Sequence, residues 1–302
     1  MYNQIAANKR NTWIILIIFI AFFTAVGYGF GLYYANGNSQ GAIDLTGVFG
    51  IAAIIYAAVS YYMADKLTLA ISHAHEISRS EAPELYNVVE NLSIASGIPT
   101  PKIFIIEDSA MNAFATGRDP KHAVVAITRG LLDKLDKSEL EGVMAHELSH
   151  VQNYDIRLQS LIVALVGLLA LVSHFFLRSL FYGRKRSGER ERGNGIFLLI
   201  GIVLAILSPI IAKLISLAIS RQREYLADAS GALLTRYPEG LARALEKIAG
   251  DTEPLEAANQ ATAHLYIENP LRNEEGMTWL NNLFSTHPPV SDRIKRLREM
   301  NQ

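Results

Sequence analysis

No cysteine occurs anywhere in the 302 residues, which excludes a disulfide framework and a thiolate metal site and is consistent with a reducing compartment. Charge is scarce as well: Asp, Glu, Lys and Arg make up 19% of the chain and nearly cancel, to a formal net charge of −1. There is no basic stripe with interleaved aromatics, which argues against nucleic acid as a partner. Internal repeats and low-complexity segments are also missing. Apolar residues are abundant instead, at 50% of the chain with a mean hydropathy of +0.18, the profile of a membrane protein with a substantial soluble part.

The apolar residues are gathered into runs. From Trp13 to Tyr34, "WIILIIFIAFFTAVGYGFGLYY" continues for 22 residues without a charge, enough to cross a hydrocarbon core of about 30 Å. A cleaved signal peptide is the competing reading, but its apolar region is shorter, about 7–15 residues. Gly27 and Gly31 sit inside this run with no strand before them, so they indicate close helix packing rather than a nucleotide loop. A second run, Gly47 to Ala64, completes a hairpin. Lys9 and Arg10 precede the hairpin, Lys66 follows it, and the link between the two runs has no Lys or Arg; the positive-inside rule therefore places both ends in the cytoplasm.

Two further runs, Leu158–Leu177 and Ile196–Ile219, are interrupted by His174, Pro209 and Lys213, and their connector carries Arg178, Arg184, Lys185, Arg186, Arg190 and Arg192. Six basic residues on the outer face would break the positive-inside rule, so the hairpin either crosses twice against the rule or lies shallow on the membrane face; its length favours two crossings. The resulting division is a transmembrane hairpin over 1–65, a first soluble part over 66–157, a second hydrophobic hairpin over 158–219 and a second soluble part over 220–302.

In the soluble part, Leu85, Val88, Val89, Leu92 and Ala95 recur at helical spacing and stop at Gly97. "KIFIIED", "NAFATG" and "HAVVAIT" then read as short strands, and the chain after Ser220 as mostly helical.

The chemistry concentrates in "DKSELEGVMAHELSH". Ser138 and Glu141 have capping-box spacing, predicting a helix that starts at Ser138. On that helix His146 and His150 lie one turn apart on one face, within reach of a single ion, with Glu147 beside them to hold a water. Neutral imidazoles ligate zinc at about 2.0–2.1 Å, three protein ligands leave a position for water, and a carboxylate takes that water's proton. A chance match of two histidines and a glutamate is the bland alternative.

A third histidine close downstream is missing, because "VQNYDIRLQS" follows His150. Asp155 sits at the helix exit, and the next good candidate is Glu224 in "SRQREYLADASGALL". Glu224 and Asp228 are four apart on one helical face, so one can ligate while the other accepts a hydrogen bond from a ligating imidazole. A solvated face paired with Arg221 and Arg223 fits the same spacing. Asp155 and Arg221 are a further expected pair, joining the two helices.

Taken together, the "NKRNTWIILIIF" anchor, "NAFATG", "HELSHVQNYD", "SRQREYLADASGALL" and "THPPVSDRI" resemble the HtpX family of membrane-bound zinc metalloproteases, related to the CAAX prenyl proteases. The resemblance covers nearly the whole chain. It implies a predominantly α, multi-pass membrane protein with an α+β zincin-like, gluzincin-type catalytic domain carrying a small β-sheet. It also implies one zinc per chain on His146, His150 and Glu224, with Glu147 as catalytic base and Asp228 supporting a ligand. Asn112 then belongs to the edge that holds substrate backbone, and His287 and Arg293 contact zinc or the oxyanion. The implied setting is the bacterial cell membrane and its stress response, with damaged, misfolded or unfolded polypeptides cut on the cytoplasmic side.

Two other functions fit parts of the pattern. One is a membrane chaperone or scaffold with a non-catalytic metal site, against which the intact Glu147 argues. The other is an intramembrane protease, but its motif would lie in an apolar span, whereas "DKLDKSELEG" leads into this one.

Overall fold

In the computed structural model, residues 2–34, 39–183, 221–257, 262–268, 270 and 288–300 are described. The first two apolar runs become the long helices α1 (Tyr2–Tyr34) and α2 (Ser39–Ile71), each containing a stretch long and apolar enough to cross a membrane. Their crossing is close because of glycine: a methyl on Gly31 would sit 2.5 Å from the Ala42 Cα, and one on Gly27 2.5 Å from the Phe49 Cβ. Ile51, Ile54, Ile55 and Val59 face outward from α2, an apolar surface that suits lipid rather than water.

After β1 (His75–Glu76), helix α3 (Pro83–Ser96) ends where the sequence indicates. Gly97 takes the left-handed conformation at φ 71°, and the N–H of Ile98 closes on the Ser93 carbonyl. β2 (Lys102–Ile106), β3 (Ala113–Gly117) and β4 (Ala123–Thr128) complete a small mixed sheet in the order β1-β2-β4-β3, with β2 parallel to β4 and the other pairings antiparallel. The short helix α4 (Arg129–Lys134) follows, and α5 (Lys137–Gln152) then crosses under the sheet.

The α5 start differs from the expected one. Asp136, not Ser138, is the N-cap: its carboxylate accepts the Glu139 N–H at 2.9 Å while the Glu139 carboxylate accepts the Asp136 N–H at 2.8 Å. An Asp-x-x-Glu box two residues earlier satisfies the same reciprocal bonds, and Ser138, already inside the helix, donates its hydroxyl to Asp136. The shift leaves the shared face of His146 and His150 unchanged.

Helix α6 (Asp155–Gly183) contains the third apolar run; its early turns bury Leu158, Leu161, Ile162 and Leu165 against Ile15, Leu16 and Phe19 of α1 and Ala53 and Ala57 of α2. The Tyr56 hydroxyl donates to the Ala164 carbonyl at 2.8 Å across that contact. The run at 196–219 and its basic connector lie outside the described residues. Past them, α7 (Arg221–Thr235) and α8 (Pro238–Gly250) pack on α5, and α9 (Val290–Glu299) packs on α8. One apolar core joins both sides of the insertion: Val88 and Val89 of α3, Ile105 and Ile127 of the sheet, Val143 and Leu148 of α5, and Leu241 and Leu245 of α8.

Candidate metal centre

Close approach of α5 and α7 builds the centre. A methyl on Gly231 of α7 would lie 3.0 Å from the His146 backbone nitrogen, tighter than an ordinary contact, so glycine here eases the close approach of the two helix backbones. Across that contact His146, His150 and Glu224 converge, all buried. The two Nε2 atoms are 3.2 Å apart, and each is 3.6 Å from an oxygen of Glu224. Donors at zinc-ligand distance in a tetrahedral arrangement stand about 3.3 Å from one another, so the spacing fits one small cation.

The other ring nitrogen of each imidazole meets a carboxylate: His146 Nδ1 lies 2.9 Å from Asp228 Oδ1, and His150 Nδ1 lies 3.0 Å from Asp155 Oδ2. Those partners assign the proton to Nδ1 and leave both Nε2 lone pairs for a cation. Asp228 is in turn gripped by Arg293, with Nε on Oδ2 at 2.9 Å and Nη2 on Oδ1 at 2.7 Å, and Nη1 donates to the Ile267 carbonyl at 3.0 Å.

Without a cation, burial alone would strip the proton from His146, but hydrogen bonds to Asp228 and Glu224 outweigh it and hold the pKa up to about 9. Burial likewise opposes the charged form of Asp228, yet the Arg293 charge and the His146 hydrogen bond bring its pKa down to about 2. His150 is raised, because the Asp155 hydrogen bond and the Glu224 charge overcome its burial. Glu147 is raised chiefly by burial.

The structure thus gathers His146, Glu147, His150, Glu224, Asp228 and Arg293 in one place. Arg293 reaches His146 only at 3.4 Å and is spent mainly on Asp228, so its first task is to hold a carboxylate rather than to meet substrate. Asn112 immediately precedes the edge strand β3, and its side-chain amide donates to the Glu268 carbonyl at 3.0 Å. His287 lies outside the described residues. The expected pair of Asp155 with Arg221 is wrong: Arg221 is exposed, whereas Arg223 is buried with Nη1 3.9 Å from Asp155. Two helical steps turn a side chain by about 200°, which takes position 221 off the inner face. The support of His150 by Asp155 went unread as well; its signal was a lone acidic residue five positions past the second histidine.

A mostly helical fold with a small mixed sheet, two candidate membrane spans among the described residues and a buried His-His-Glu cluster that could hold a metal agrees with the class that comparison with known proteins gives, a membrane metalloprotease. Residues 79–301 match Peptidase family M48, and the chain belongs to that family. It is 48% identical to a "Protease HtpX homolog" of Dictyoglomus thermophilum, covering 100% of this chain and 95% of the relative. It is 49% identical to another of that name from Tropheryma whipplei (strain Twist), covering 99% and 98%. The crystal structure of S. mikatae Ste24p shares the fold at a TM-score of 0.50 and 20% identity; the match covers 94% of this chain, which spans 62% of that longer one.

Proposed function

We propose that this protein is a zinc-dependent endopeptidase of the bacterial cell membrane, a multi-pass chain whose gluzincin-type catalytic domain faces the cytoplasm. Its substrates are damaged or misfolded membrane proteins and unfolded polypeptides, as expected of quality control under stress. The observation that carries this reading is the buried convergence of His146 Nε2, His150 Nε2 and the Glu224 carboxylate, with Glu147 one residue along the same helix. Two imidazoles and one carboxylate, with no thiolate, suit a hydrolytic zinc site that keeps a position open.

A cation held there supplies positive charge that polarises a substrate carbonyl and eases deprotonation of a water near neutral pH. Glu147 does the proton work: its carboxylate takes a proton from the attacking water and delivers it to the nitrogen of the departing amine as the peptide bond breaks. Burial, which raises its pKa, suits it to holding the proton between those two events. Asp228 and Asp155 orient the two imidazoles, and Arg293 keeps Asp228 ionised and in place. His287 is the donor proposed for the developing oxyanion. Substrate backbone adds along β3, the strand that follows Asn112.

Glu147→Gln tests the assignment. Cleavage of an unfolded protein substrate should fall by at least about a hundredfold, with one zinc per chain still bound by metal analysis. Cleavage at the wild-type rate would remove Glu147 from the mechanism, and a purified wild type that binds zinc but cuts nothing would favour the scaffold reading.

A further inference from the structure

Asn8 sits on α1, five positions before the apolar run opens at Trp13. It is only 3% exposed. Burying a primary amide is unfavourable unless its polar atoms find partners, and here they do. Nδ2 donates to Asp155 Oδ1 at 2.6 Å and to the Asn153 carbonyl at 3.0 Å, while Oδ1 accepts from Arg223 Nη1 at 3.3 Å. The other oxygen of Asp155 is the one 3.0 Å from His150 Nδ1. Arg223 is the chain neighbour of Glu224. One side chain of the membrane helix therefore bridges the supports of both ligand-bearing helices.

We propose that Asn8 is a positioning residue for His150, so that the membrane helix α1 completes the metal centre instead of merely tethering it. This rests on the metal-centre reading above. A carboxylate bonded through one oxygen only is free to swing about its Cβ–Cγ bond. With Oδ1 held by Asn8 and Oδ2 on His150, the plane of Asp155 is set, and with it the direction of the Nε2 lone pair. The register of α1 is fixed close by: Lys9 Nζ stands 4.3 Å over the Tyr154 ring. Docking of the anchor and geometry of the ligand are one event.

The test uses the full chain in detergent, titrated with cobalt(II) against a chelator and read by its visible absorption. Asn8→Leu keeps the size of the side chain and removes the bridge; it should weaken cobalt(II) binding by about tenfold, the range of lost supporting contacts at metal sites, and alter the absorption bands. The swapped pair Asn8→Asp with Asp155→Asn restores a hydrogen bond between the two positions and should recover affinity toward wild type. Should Asn8→Leu not fold, Asn8→Ser is read by the same criteria. His150→Ala separates the two readings. Undiminished binding in that variant refutes the metal centre itself. Loss there beside wild-type affinity and bands in the Asn8 variant refutes only the role of Asn8, as does an Asn8 defect that the swapped pair leaves in full.

Discussion

At His146 and His150 one device is used twice: a carboxylate takes the Nδ1 side of the ring so that Nε2 is left to a cation. The first copy is the stiffer, because Arg293, fully buried, clamps both oxygens of Asp228. Removing one partner from a buried ion pair typically costs about 3–5 kcal/mol, so Arg293→Met should lower unfolding stability by roughly that amount and weaken metal binding with it. Arg293→Lys should rescue little, since an ammonium cannot reproduce the two-pronged contact. Equilibrium unfolding of metal-free and metal-loaded protein reads both effects.

Protons compete with the cation for the same ring. In the metal-free protein the pKa of His146 stands near 9 rather than its ordinary 6.5, so the stability it contributes is complete below about 6.5 and is lost as pH rises through about 9. Asp228 has the opposite sign: with its pKa near 2, its contribution is present above about 3.8 and is lost as pH falls toward 2. Metal uptake must expel the imidazolium proton. Apparent zinc affinity should therefore climb from pH 6 to 9 and flatten above; an affinity independent of pH over that interval would contradict the protonation scheme.

Among the elements, α5 is held by two close contacts about one turn apart. Gly231 of α7 approaches the backbone of His146, and one turn earlier a methyl on Gly142 of α5 would lie 2.5 Å from the Leu241 backbone nitrogen of α8. Both neighbours are backbone, which cannot rotate away, so overpacking costs of about 1–3 kcal/mol apply to an added methyl. Gly142→Ala should destabilise the fold while sparing the ligand geometry of whatever protein remains folded. Gly231→Ala should push α7 from α5 at the site and weaken metal binding beyond its effect on stability. Parallel melting and metal titration of the two variants distinguishes them; equal ratios of metal loss to stability loss would refute the distinction.

The element types were legible in the sequence and their ends less so: α1 begins at Tyr2 rather than Trp13, and α2 runs beyond Gly47–Ala64 at both ends. The 3.6-residue spacing and Gly97 identify α3, and the β-branched runs identify β2, β3 and β4, because local backbone preference and one-sided burial act over a few residues. The α5 start was misplaced by proximity of two capping boxes, Asp136 with Glu139 and Ser138 with Glu141. Only the bonds formed in the folded chain choose between them.

For the whole molecule, the topology is testable because the chain has no native cysteine. Single cysteines at Gln40, in the exposed start of α2, and at Lys121, on the exposed turn beside the sheet, report on opposite sides of the proposed membrane. A membrane-impermeant maleimide should label Gln40→Cys but not Lys121→Cys in intact cells, and both after permeabilisation. Helix α6 has 29 residues, about 43 Å of length, which favours a third crossing despite the basic connector. A cysteine at Ser187 should then behave like the one at Gln40; labelling only after permeabilisation would instead keep that connector on the inner face.

By itself the sequence determined the two long apolar helices, the order of the soluble elements, the His-Glu-x-x-His face and the candidacy of Glu224. All of these follow from periodicity, run length and spacing along one element, where the physics is local. Tertiary structure alone decided that Glu224 stands 3.6 Å from both imidazoles, that Asp155 turns to His150 rather than outward, that Arg223 and not Arg221 faces it, and that Arg293 and Asn8 close the network from helices far apart in the chain. Those contacts depend on how glycine-lined helix faces meet and on buried polar groups finding partners across the fold, which no stretch of sequence specifies alone.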